Sequence, residues 1–291
     1  MFWLLLSISA SSLLMLIFIL FKKFDINTFY AIVVNYLVCV FVALLFAQEY
    51  TYADYMTGWL PIGVLLGVFF IGLFFLIGKT TQTMGAAVTT VAMKLGYIFP
   101  ILLAFTYYNE KATLLKIIGI VLTVLAVFFT SIKKEKNDSK FNWKLMIFPV
   151  TIFVGSGIAD SIVQNVNNTY FVNGGSEMFV FITFLTAFIV GFVFALMKIY
   201  KEKTNHFNKK NVIAGILLGV PNYFSIYFLF KAISVPAWED SFVFPVNNIG
   251  IVVLSSLLAV LFFKEKLNKY NIIGLGLAVI SILVLNLQNL F

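Results

Sequence analysis

Apolar residues run along this chain in blocks about as long as a bilayer is thick, and polar residues gather in the short gaps between them. A helix needs ~20 predominantly apolar residues to cross the hydrocarbon layer. Ten segments meet that demand: 1–21, 28–47, 59–78, 84–106, 112–131, 143–165, 176–198, 211–231, 238–262 and 269–288. The longest gaps lie around Lys133–Lys140 and Lys198–Lys210, so no segment is left for a soluble domain. The pattern predicts an all-α polytopic membrane protein of ten transmembrane helices. The run 1–21 lacks a basic start and is followed by Lys22 and Lys23, which reads as a retained first helix and not a signal peptide.

Composition sharpens the class. Of 291 residues, 62% are hydrophobic and 11% charged, with a mean hydropathy of +1.02. Soluble domains are about half apolar and about a quarter charged, and disorder needs low hydrophobicity with high charge. Both classes are excluded. The formal charge of +8 comes entirely from lysine and does not point to nucleic acid, because the lysines sit in the gaps between apolar runs. Sixteen of them follow spans 1, 3, 5, 7 and 9, and only Lys111, Lys116 and Lys231 flank the even gaps. Lysine bias sets orientation, so both termini are expected outside and the protein in the cell membrane. Cys39 is the single cysteine and His206 the single histidine, the latter in a Lys-rich loop. No disulfide, metal site or cofactor is expected.

The chain repeats itself at about half its length. Shifting by 155 lays 102–126 on 257–281 with ten of 25 positions identical, among them Glu110/Glu265, Lys111/Lys266 and Gly119/Gly274. A shift of 152 lays Gly63 and Gly67 on Gly215 and Gly219, and Lys79 on Lys231. The expected organisation is a first five-helix repeat over 1–132, a linker over 133–142 and a second repeat over 143–291. Five is odd, so the second repeat should enter the membrane inverted around a central cavity, a transporter design.

The stretch Gly85-Ala86-Ala87, Pro100, Glu110-Lys111 and Gly119 resembles one half of the EamA-like family of the drug/metabolite transporter superfamily, and Glu265-Lys266 with Gly274 resembles the other. The resemblance implies a ten-helix secondary transporter whose cavity is lined by helices 1, 3, 4, 6, 8 and 9, with helices 5 and 10 peripheral. It implies substrates among amino acids, sugars, nucleotide sugars and drugs. The chain departs from symmetry at Pro100, which faces Ser255 in the second copy.

Few charges lie inside spans. Lys94 is at the middle of 84–106, with Thr90 and Tyr97 about a turn away on its face. A charge there costs about 2.5–3.5 kcal/mol on the gentlest scale and faces a bundle interior or a wet cavity. Asp160 is the other, in a polar stripe Ser156, Asp160, Gln164 on the sixth span. Weaker polar groups are Ser9 and Ser12 in the first span, Asn222 and Tyr223 beside Pro221 in the eighth, and Asn247 and Asn248 in the ninth. The Glu-Lys pairs are expected to be solvated turn charges. Gly63/Gly67 and Gly215/Gly219 are expected to serve packing, and Lys79 and Lys231 to snorkel.

These residues predict a secondary transporter of small polar organic metabolites, amino acids leading. Lys94 would hold a carboxylate or phosphate; Asp160 would hold an ammonium or exchange a proton. A structural ion pair between the two is the bland alternative. No G-x-x-x-x-G-K-[ST] stretch is present, so energy should come from a gradient or exchange. The rival transport reading is a flippase of an anionic lipid or lipid-linked intermediate. An enzyme is not expected, since no span holds a histidine and Asp160 is the only aspartate well inside one.

Overall fold

The computed structural model describes residues 2–46, 58–99, 102, 113–132, 143–171, 177–203, 207–233 and 240–286. Among them are ten helices: α1 (Phe2–Lys23), α2 (Thr28–Phe46), α3 (Leu60–Met84), α4 (Ala86–Leu95), α5 (Leu114–Ser131), α6 (Trp143–Tyr170), α7 (Glu177–Glu202), α8 (Lys209–Ile233), α9 (Asp240–Phe263) and α10 (Lys269–Asn286). No strand occurs among the described residues. In hydrocarbon every backbone polar group must be satisfied within the protein, and a helix does so within one segment. Seven of these helices are long and apolar enough to cross a membrane; Ala86–Leu95, Ile117–Thr130 and Lys269–Val284 are shorter apolar stretches.

The outside of the bundle is apolar. Leu5, Phe41, Leu45, Phe194, Met197, Leu261 and Phe262 are all more than half exposed. So extended an apolar surface is untenable in water and matches a lipid-facing wall. Inside, α1 is part of the core: Leu4, Met15, Phe18 and Phe21 are buried. α5 packs chiefly on α10. There the Thr123 and Ser281 hydroxyls lie 2.5 Å apart, and Asn271 Nδ2 donates to the Thr130 carbonyl at 2.6 Å.

Three of the paired glycines sit at close helix crossings. A Cβ on Gly67 of α3 would lie 2.5 Å from the Thr183 carbonyl oxygen of α7. One on Gly219 of α8 would lie 2.8 Å from the Asn35 carbonyl oxygen of α2, and one on Gly215 would lie 2.6 Å from that of Ala31. Small residues at such crossings let backbones meet where apolar burial gives no drive, so the packing expectation holds. Gly72, on the same helix as Gly67, has open space around it. Gly67→Val should therefore cost about 1–3 kcal/mol through overpacking and lower the melting temperature in detergent. Gly72→Ala should leave it unchanged or raise it.

The expected continuous helix over 84–106 is instead interrupted. Gly85 alone separates α3 from α4, at φ +101°, and α4 stops at Leu95 before a turn at Gly96 and Tyr97. The Phe99 amide donates to the Gly96 carbonyl at 2.9 Å, a tightened turn. Pro100 has no N–H for that carbonyl, and so an α-helical bond there is unavailable. The matching stretch of the second half carries Ser255 in place of proline, and α9 runs unbroken from Asp240 to Phe263. The departure from symmetry noted in the sequence is thus present in the backbone.

Candidate functional site

Two glycines bring the intramembrane charges together. A Cβ on Gly96 would lie 2.7 Å from the Gly157 amide nitrogen and 3.0 Å from the Phe153 carbonyl oxygen, and one on Gly157 would collide with the Phe99 ring. The turn after α4 therefore lies directly on the α6 backbone. Lys94 stands two residues before one glycine and Asp160 three after the other. The sequence offered a signal for this contact, glycine inside each apolar run, which marks a packing role.

Lys94 is half-buried, and Asp160 keeps an exposed surface although protein surrounds it. On α6 the outward stripe is Ile147, Val154 and Ile158, all exposed and apolar. Asp160 lies on the other side, with Phe153 and Ser156, toward α4. The exposed carboxylate is thus on the face of α6 turned away from the outward apolar stripe. Each of the two charges acts electrostatically on the other. They do not touch, because the one ion pair within 4.0 Å among the described residues is Lys198–Glu202.

The remaining polar candidates divide. Ser12 Oγ, Ser156 Oγ and Asn247 Oδ1 are buried with no hydrogen-bond partner among the described residues. Such groups cost about 1–3 kcal/mol each when left unmet, so water or a ligand is their natural complement. Asn248 is buried and Tyr97 half-buried. Ser9 does not share the setting of Ser12: it sits in an exposed line with Leu5 and Leu13. Asn222 and Tyr223 are buried, and Asn222 Nδ2 donates to Asn35 Oδ1 at 3.1 Å, which makes Asn222 part of the α2–α8 contact. Thr90 is also engaged, accepting from Ser255 Oγ at 3.0 Å. The side chain of Gln164 lies outside the described residues, as do Glu110, Lys111 and His206. Lys79, more than a turn before the end of α3, and Lys231, in the last turn of α8, lie over the rings of Phe148 and Tyr227, at 5.6 and 5.5 Å.

One expectation is corrected. Glu265 is not a solvated turn charge. Its carboxylate is half-buried and accepts from the Ala86 amide at 3.0 Å, at the N-terminus of α4. Burial holds the carboxyl above the usual carboxylate range, and the Ala86 and Ala87 amides oppose that rise. Spacing alone could not reveal this, since 179 residues separate donor and acceptor.

A cleft of about 640 Å³ lies elsewhere, among Phe29, Phe75, Phe194, Met197, Lys198 and Tyr200. It shares no residue with the Lys94–Asp160 region, and its lining is mostly apolar with Lys198, Lys201 and Glu202 among it.

The helices and the apolar exterior define a multi-pass membrane protein, and Lys94 and Asp160 lie within its helices. The EamA-like transporter family matches residues 147–287, and the chain belongs to that family, within the drug/metabolite transporter superfamily. Family members are membrane transporters acting on small molecules, not enzymes. An uncharacterized protein of Haemophilus influenzae is 31% identical over 215 residues, 74% of this chain and 71% of that one. A protein crystal structure superposes with a TM-score of 0.62 at 17% identity, over 99% of this chain and 96% of the other. That likeness extends the shared fold over nearly the whole chain.

Proposed function

We propose that the chain is a secondary transporter of small zwitterionic or anionic organic metabolites, amino acids first among them, working by alternating access in the cell membrane. The observation that carries this reading is the pair Lys94 and Asp160: opposite charges on two touching helices, accessible from within and not neutralising each other by contact. A zwitterion supplies the missing counterparts, its carboxylate for Lys94 and its ammonium for Asp160. Ser12, Ser156 and Asn247 offer further hydrogen bonds. Tyr97 and Asn248 complete the proposed wall, while Ser9, Gln164, Asn222 and Tyr223 are the weaker members of the set.

The helix packing supports two inverted halves. Exchange α1 with α6, α2 with α7, α3 with α8, α4 with α9 and α5 with α10. The α2–α8 contact then becomes α7–α3, α1–α9 becomes α6–α4, and α1–α8 becomes α6–α3; all six are present. The glycine pair of α3 meets α7 as that of α8 meets α2. With five helices per half, the halves run in opposite directions, and the lysine bias puts both termini outside.

Purified protein in proteoliposomes, offered a panel of amino acids with and without a proton gradient, tests the function. At least one zwitterionic amino acid should accumulate, more so with the gradient. Transbilayer movement of an anionic lipid with no amino-acid uptake would favour a flippase instead. Orientation has its own test, after Cys39→Ala removes the native thiol. An impermeant thiol reagent applied to intact cells should label Tyr170→Cys and spare Lys209→Cys; the opposite pattern inverts the topology.

A further inference from the structure

We propose that Glu265 is a latch that holds the two halves together on the face the lysine bias assigns to the cytoplasm, and that its release accompanies opening of the cavity to that face. The inference rests on the alternating-access reading and adds to it a residue and a contact. Glu265 belongs to the link between α9 and α10, in the second half. Its partners, the amides of Ala86 and Ala87, open α4 in the first half. α4 is ten residues long and carries Lys94 next to its last position. A movement that separates Glu265 from Ala86 is therefore a movement of the helix that bears the site.

Three features show a seat shaped for this carboxylate. The first amides of a helix have no partner within it and carry partial positive charge, and an anion satisfies both needs. Gly85 adopts φ +101°, and a methyl group there would collide with the Glu265 carboxylate. Lys264, just before Glu265, takes the left-handed conformation at φ 52°, and the Glu265 amide donates to the Ala259 carbonyl at 3.2 Å. The chain end of α9 is thus folded back to deliver one side chain to one helix terminus. Such a bond is strong enough to bias two states of a carrier and weak enough to be exchanged on each cycle.

The test measures distance and needs no substrate. Spin labels go on the exposed positions Thr83→Cys and Lys266→Cys in a Cys39→Ala background, in lipid nanodiscs, and are read by pulsed dipolar spectroscopy. Glu265→Ala should raise the ratio of the longer- to the shorter-distance population by about tenfold, the scale of a lost charge-assisted hydrogen bond. Glu265→Gln, which keeps the shape and loses the charge, should give a smaller rise. Distances that match wild type in both variants overturn the latch. If Glu265→Ala does not fold, Glu265→Gln decides alone: an unchanged distribution overturns the latch, and a raised ratio supports it. Wild-type protein that transports nothing sinks the carrier reading separately, while the distances still decide the latch.

Discussion

Lys94→Met should give a protein that folds and does not transport. Methionine matches lysine in length and carries no charge, so the change removes a group that costs about 2.5–3.5 kcal/mol inside a membrane. The variant should melt no lower than wild type. Substrate binding should weaken about ten- to a hundredfold, the value of a hydrogen bond to a charged group, and accumulation in proteoliposomes should be lost. The opposing view makes Lys94 half of a structural ion pair. Removing one partner of a buried pair costs about 3–5 kcal/mol, so that view predicts a large drop in melting temperature, restored in the double variant Lys94→Met/Asp160→Asn. The geometry favours the first outcome. Asp160 is accessible and lies beyond 4.0 Å of Lys94, and an accessible carboxylate that loses a distant partner can hydrate. Full transport by Lys94→Met would end the proposed site and the anionic-group hypothesis with it.

Residues whose role depends on one helix were legible in the sequence, and residues whose role depends on two were not. Apolar blocks place the helices because hydrocarbon leaves the backbone no other partner. Lys94 and Asp160 stand out because charge inside such a block is expensive wherever its neighbours are. The glycine pairs could be read because spacing i, i+4 puts both on one helix face. Glu265 could not, because Glu-Lys between two apolar runs has the same composition whether it is solvated or seated on a distant helix terminus. The break after α4 was half legible: Pro100 was visible, but it lies four residues beyond the turn at Gly96, since a proline disturbs the carbonyl one turn earlier. Ser9 and Ser12 show the limit of face arguments. They sit close on a helical wheel, yet one is exposed in a line of leucines and the other is buried, because the edge of the α1 interface passes between them.

Asp160→Asn should abolish gradient-driven accumulation and spare exchange. Asparagine is nearly isosteric with aspartate and still accepts hydrogen bonds, but it cannot take up and release a proton. If Asp160 couples transport to a proton gradient, the variant can move substrate only down its own gradient. Vesicles loaded with unlabelled substrate should then still take up labelled substrate by counterflow, while vesicles given only a proton gradient should stop at equilibration. The position suits such a role. Intramembrane acids that face an internal space are the usual proton relays, and Asp160 is exposed on the inward side of α6. The Ser156 hydroxyl, without a partner among the described residues, lies one turn earlier on the same face. Other outcomes assign Asp160 elsewhere. Loss of both activities with unchanged melting makes it a ligand for the substrate ammonium, and loss of both with lowered melting makes it structural. Retention of full gradient-driven accumulation rules it out as the coupling site and leaves the Ser156–Asp160 stripe as packing.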